Sequence, residues 1–127
     1  MKNIKQVIVV RKDLKLRKSK LISLAAVVAN KFLTENNEAQ RHDELYVKLS
    51  QEEVEWLRGT TIPIILGIDS QHAISNLVFQ AELLGVSVHI ITDPMAKPED
   101  DHTILCAALG PDEEELINKI TNNLKSI

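Results

Sequence analysis

The sequence predicts an α/β protein, three layers deep (α/β/α), with a mostly parallel (mixed) four-stranded sheet at its centre. Apolar runs of strand length recur at Val7–Val10, Ile62–Ile68, Val86–Thr92 and Thr103–Leu109. Helix-like segments alternate with these runs through short connections, the habit of sheets covered on both faces. The 127 residues, 44% hydrophobic and 26% charged, suit one globular domain spanning 1–127.

Each element has its own signal. Val7-Ile8-Val9-Val10 is a β-branched run with no polar interruption, as expected of a strand buried on both faces. A basic loop, Arg11 to Lys18, follows, and Ser19 can cap a helix running to about Thr34. That helix is apolar around much of its circumference, which predicts that it is sandwiched between other elements. Glu35 to Glu44 is polar and aperiodic and reads as a surface loop. Ser50-Gln-Glu-Glu53 is a capping box for a short helix ended by Gly59, with Val54 and Leu57 inward and Trp56 at the flank. Ile62–Ile68 tolerates Pro63 near its start. A helix from Ser70 to Leu84 stops at Gly85, and the strand Val86–Thr92 ends at Asp93. Beyond a loop rich in proline and acid comes Thr103–Leu109, which Gly110-Pro111 breaks before a last helix, Asp112 to Leu124.

Charge is distributed unevenly. Residues 1–31 carry nine of the 15 basic side chains and one acid, Asp13, whereas the remainder carries six basic and 17 acidic ones. The N-terminal excess suits a surface facing phosphate, although a solvated basic loop has the same composition. The lone Cys106 precludes an intramolecular disulfide and is compatible with a reducing cytoplasm. Val7–Val10 is too short for the core of a signal peptide, and no apolar stretch approaches the roughly 20 residues that cross a bilayer. The expected location is cytoplasmic, with no membrane partner.

Several stretches together resemble the peptidyl-tRNA hydrolase II family. Arg11-Lys12-Asp13-Leu14-Lys15-Leu16 with Lys18-Ser19-Lys20 is similar to its opening, R-x-D-L-x-M-x-K-G-K. Glu53 to Gly59 with Trp56, Ile64-Ile65-Leu66, Ala81 to Val86 and Ile90-Ile91-Thr92-Asp93 follow in the family's order. Leu109-Gly110-Pro111 and Ile117 to Lys125 resemble its closing G-P and D-K-I-T-G-x-L-K. The resemblance covers nearly the whole chain and implies a mixed four-stranded sheet, a homodimer, and hydrolysis of the ester joining a peptide to tRNA. It assigns catalysis to Lys20 and Asp93; in such an enzyme Arg11, Lys15 and Lys18 of the basic loop are expected to hold tRNA phosphates, and with no P-loop, G-x-G-x-x-G or G-x-S-x-G motif no cofactor is predicted.

The chain departs from the family at the site itself. The glutamine and histidine four and seven residues after the lysine are Leu24 and Val27, so a helix face that reads Lys-Gln-His becomes Lys-Leu-Val. The two threonines that follow the aspartate become Lys97 and Leu105, and two family glycines become Ser19 and Met95. Loss of the histidine removes the best proton acceptor near neutral pH, and loss of the hydroxyls removes donors for an oxyanion. Two functions therefore stand side by side: a hydrolase with altered chemistry, and a non-catalytic module of the same fold binding a small ligand or a protein. Of the other polar residues, Asp69 is expected to cap the helix after it, and His89 to be hydrogen-bonded in or at the edge of the core. Cys106 is expected to be inert packing. His72, Asp100, Asp101 and His102 match no zinc spacing and are expected at the surface; a metal site is not predicted.

Overall fold

The computed structural model describes residues 3–35, 43–94 and 103–127, together with the backbone of 37–41. The strands are β1 (Ile4–Arg11), β2 (Asn37–Arg41), β3 (Glu44–Val47), β4 (Ile64–Ile68), β5 (Val88–Thr92), β6 (Ile104–Glu113) and β7 (Lys125–Ser126). The helices are α1 (Lys18–Ala29), α2 (Lys31–Thr34), α3 (Gln51–Arg58), α4 (Gln71–Leu83) and α5 (Glu114–Thr121). One sheet of five strands has the order β5-β6-β1-β4-β7, and β2 pairs with β3 separately.

Two features of the expected sheet are corrected. It has five strands rather than four, because the two-residue β7 pairs with β4 at Leu66 and Gly67, and no hydrophobic pattern announces so short a polar strand. It is also mainly antiparallel: β1 and β4 run parallel, but β6 opposes both β1 and β5, and β7 opposes β4. The reason lies between β5 and β6, which are joined by residues 93–103 alone, a short span for a crossover. A parallel return needs a crossover, usually a helix, whereas a loop brings the chain back antiparallel.

The strand β1 makes the layering visible. Val7 and Val9 point to one side, into a core with Ile74, Leu77 and Ala81 of α4 and Ile117 and Ile120 of α5. Ile8 and Val10 point to the other, into a core with Leu24, Ala25 and Val28 of α1. All four are at most 1% exposed, worth on the order of 2 kcal/mol each by burial. In β6, Leu105 and Cys106 both face α1, because the pairing shifts from Thr92↔Ile104 to Ile91↔Cys106 and leaves Leu105 as a bulge.

Several local expectations also change. Arg17, without a side-chain cap, precedes α1, and Ser19 lies inside its first turn. The long first helix divides at Asn30 into α1 and α2. One face of α1 is buried, but Ile22 and Val27 remain 64% and 57% exposed, so α1 is not sandwiched. The segment read as a loop after Glu35 contains the β2–β3 hairpin. Leu57 is exposed rather than inward, while Val54 and Trp56 of α3 are half-buried. Gly110-Pro111 does not break β6, which continues to Glu113 with the Gly110 amide donating to the Ser87 carbonyl at 2.8 Å. The last helix covers only Glu114–Thr121. The Ser50–Glu53 capping box and the ends at Gly59 and Gly85 form as expected.

Candidate active site

The C-terminal ends of β1, β4 and β5 lie at one end of the sheet. Arg11 pairs with Ile68, the last residue of β4, and the registers Val10↔Cys106 and Thr92↔Ile104 bring β5 to the same end through β6. The buried Gln6, low on β1, donates from Nε2 to the Ala29 carbonyl at 2.9 Å. The last residue of α1 is therefore at the opposite end, and its first turn, with Lys18 and Lys20, is at the end that carries Asp93.

Side as well as end can be read from the packing. Ile91 of β5 joins the core on the α1 side, and Asp93 follows directly where β5 ends at Thr92. The Asp93 amide continues the ladder by donating to the Thr103 carbonyl at 2.9 Å. On α1, Leu21, Leu24, Ala25 and Val28 face the sheet. Lys18 and Ile22 lie on one flank of that stripe, where with Val10, Leu16, Leu21, Ile65 and Ile127 they line an apolar cavity of about 390 Å³ beside β4. Lys20 and Val27, seven residues apart, share the other flank, the one towards β5. Leu24 is buried at 7%, so it belongs to the core and not to that exposed flank.

The basic residues divide into two kinds. Arg11, expected to hold phosphate, is buried: Nε donates to Asp13 Oδ1 at 3.0 Å, Nη2 donates to Asp13 Oδ2, and Nη1 donates to Gln71 Oε1 at 3.1 Å. Its hydrogen bonds to Asp13, and its charge, hold the Asp13 carboxyl below the ordinary carboxylate range. Arg11 thus ties the end of β1 to the start of α4. Lys15 and Lys18 are exposed, Lys15 at a left-handed turn position with φ 51°. Lys12 lies across Gly67, where an added Cβ would stand 2.5 Å from Lys12 Cδ, and its Nζ is 3.4 Å from Asp69 Oδ1. The first turn of α1 contains no acid, and a cation there opposes the helix dipole. A local rule broken this way is a common mark of a site.

The remaining polar residues resolve as follows. Ser70, not Asp69, caps α4, its Oγ accepting from the Ala73 amide at 3.0 Å, and Asp69 is exposed. His89 is buried in the edge strand β5, with Nδ1 2.7 Å from Glu35 Oε2 and Nε2 3.2 Å from Ser87 Oγ. Burial pushes the Glu35 carboxyl up, but hydrogen bonds from His89 and Lys31 together hold it below its ordinary value. Cys106 is fully buried and packs, with burial pushing its thiol up to about 11. His72 is exposed, and Lys97, Asp100, Asp101 and His102 lie outside the described residues. Gln71 is the participant that the sequence did not flag; its only signal was its place directly after a capping serine at a strand's C-terminal end.

Comparison with known proteins places this geometry in a family. The family model described as Peptidyl-tRNA hydrolase PTH2 matches residues 4–127. The chain belongs to that family. It is 35% identical over 127 residues to the peptidyl-tRNA hydrolase of Thermococcus sibiricus, with 97% of each chain covered. It is 36% identical over 123 residues to that of Nanoarchaeum equitans, covering 96% of this chain and 97% of the relative, and 32% identical over 123 residues to that of Thermococcus onnurineus, covering 97% of each.

Proposed function

We propose that this protein hydrolyses the ester linking a peptide to tRNA, with Lys20 and Asp93 as its catalytic pair. The observation that carries the reading is the family match from residue 4 to residue 127. The topology supports the pair, since the first turn of α1 and Asp93 belong to the same end of the sheet, and the alternation of an extended chain would turn Asp93 to the side of Ile91. In this reading Asp93 orients a water and accepts its proton as the oxygen attacks the ester carbonyl. The Lys20 ammonium stabilises the oxyanion, and the carbon–oxygen bond to the terminal ribose then breaks, the ribose oxygen taking a proton.

A carboxylate is a weaker base than imidazole near neutral pH, so the reaction runs slower than in a site that keeps histidine. Lys15 and Lys18, with the uncapped first turn of α1, are proposed to hold tRNA phosphates. A cytoplasmic homodimer is proposed as the working form. Its support is the free, buried thiol and the exposed pair Phe79 and Leu83, one turn apart on α4. Among the described residues, no helix is long and apolar enough to cross a membrane.

The direct test is release of tRNA from N-acetylaminoacyl-tRNA by the purified protein, beside Lys20→Ala and Asp93→Asn. Hydrolysis by the parent and its loss in both variants is the expected result. Activity that survives both substitutions would transfer the chemistry to other residues.

A further inference from the structure

Where β1 ends, the pairing with β6 should leave one amide without a partner. The register Val10↔Cys106 extends to Lys12 opposite Ile104, but the Lys12 carbonyl is turned into the loop and accepts from the Lys15 amide at 3.2 Å. The Ile104 N–H donates to Gln71 Oε1 instead, at 2.8 Å. The same oxygen accepts from Arg11 Nη1, and Gln71 Nε2 donates to Ser75 Oγ at 3.0 Å, so the amide is held from both ends. A side chain of α4 thus replaces the missing strand residue.

The peptide group that Gln71 grips joins Thr103 to Ile104. Its carbonyl, on the far side, accepts from the Asp93 amide at 2.9 Å. Because a peptide group is planar and its N–H and C=O point in opposite directions, fixing one fixes the other. We propose that Gln71 is a positioning residue for the ester hydrolysis: through the 103–104 peptide it sets the backbone of Asp93, and hence the aim of its carboxylate. Arg11 acts behind it, keeping Gln71 Oε1 oriented while Asp13 holds the guanidinium. The inference rests on the function proposed above for Asp93, but the relay has a readout of its own.

The experiment compares Gln71→Met, which keeps length and loses the acceptor, with Gln71→Glu, which keeps the acceptor. In Gln71→Met, amide hydrogen exchange at Asp93 and Ile104 should quicken, and kcat on N-acetylaminoacyl-tRNA should fall by on the order of tenfold with KM within about twofold, as expected of a displaced catalytic group. Gln71→Glu should restore both. Ile117→Val, which thins the core at the other end of the sheet, should leave kcat unchanged. If Gln71→Met does not fold, Gln71→Asn, one methylene short of the Ile104 amide, carries the same expectation. Unchanged exchange at Asp93 in the acceptor-less variant, or a Gln71→Glu variant as impaired as Gln71→Met, overturns the relay. A parent protein without esterase activity overturns the proposed function instead, and the exchange measurement still decides whether Gln71 sets Asp93.

Discussion

Val27 is the position at which the motif resemblance implies a histidine, and its environment decides what introducing one would do. The side chain is 57% exposed, so an imidazole would fit without displacing core and could stay hydrated. Val27→His should therefore fold normally and raise hydrolysis of N-acetylaminoacyl-tRNA near neutral pH, by on the order of a hundredfold if the ring reaches the water. Initial rates of parent and variant measure this, and an inactive Val27→His in a folded protein counts against the proposed site. Leu24 is a different case: it is buried against the sheet, and a glutamine there would bring an amide into an apolar core at a cost of about 1–3 kcal/mol. The two positions that the resemblance singles out look alike in sequence and are unlike in the fold. Cys106 is settled by the same criterion of exposure. With its thiol pushed up to about 11 and no accessible surface, it should resist iodoacetamide at pH 8 in the native protein and react once unfolded. Mass spectrometry before and after denaturation reads the difference directly.

At the scale of elements, two glycines with positive φ show how the connections are held. Gly85, at φ 74°, closes α4: its own amide donates to the Glu82 carbonyl and the Val86 amide reaches back to Ala81 at 2.9 Å, sending Val86 into the core. Nothing lies within 4 Å of a Cβ added there, so Gly85→Ala should cost only the conformational penalty, about 1–2 kcal/mol. Gly110, at φ 86°, is enclosed, and an added Cβ would meet the Lys5 carbonyl oxygen at 2.8 Å and the Asp112 nitrogen at 2.7 Å. Gly110→Ala should cost more, by roughly a further 1–3 kcal/mol of overpacking, and urea melts of the two variants rank them. Equal destabilisation would mean that the β6 backbone yields at no cost. The same elements show what was legible in sequence. β1, β4, β5 and β6 announce themselves because each carries an apolar run of strand length, although Ile64 and Ile65 of β4 stay exposed. β2 and β7 are built mostly of polar residues, and the four-residue β3 leaves Leu45 and Tyr46 exposed, so their backbone pairing leaves no hydrophobic period to read. The proposal of Lys20 and Asp93 rests in sequence on motif resemblance alone. Gln71 was not legible, because its role depends on where β1 stops relative to β6, a matter of register that local sequence does not encode.

Over the whole molecule, the charge split of the sequence acquires a position. The basic loop joins β1 to α1 and leads into the first turn of that helix, at the end of the sheet that carries Asp93. The 96 residues beyond position 31 carry six basic and 17 acidic side chains. A polyanion is thus attracted at one end and repelled by much of the rest, and the repulsion acts over distances that salt leaves unscreened, about 8–10 Å near physiological ionic strength. Arg11 contributes charge to this field but no free contact, being held by Asp13 and Gln71. The candidates for phosphate contact are Lys12, Lys15, Arg17 and Lys18, all exposed, with Lys12 partly engaged by Asp69. Four such contacts predict that affinity for tRNA falls by on the order of a hundredfold between about 50 and 200 mM salt, since each neutralised phosphate releases roughly one counterion. Charge reversal at Lys15 or Lys18 should weaken binding and flatten the slope, whereas Arg11→Lys should leave the slope as it is, whatever it costs in stability. Filter binding or fluorescence anisotropy with tRNA over a salt series tests all of this together. Affinity that ignores salt, or a slope that Lys15→Glu and Lys18→Glu leave untouched, would remove tRNA from this end of the sheet.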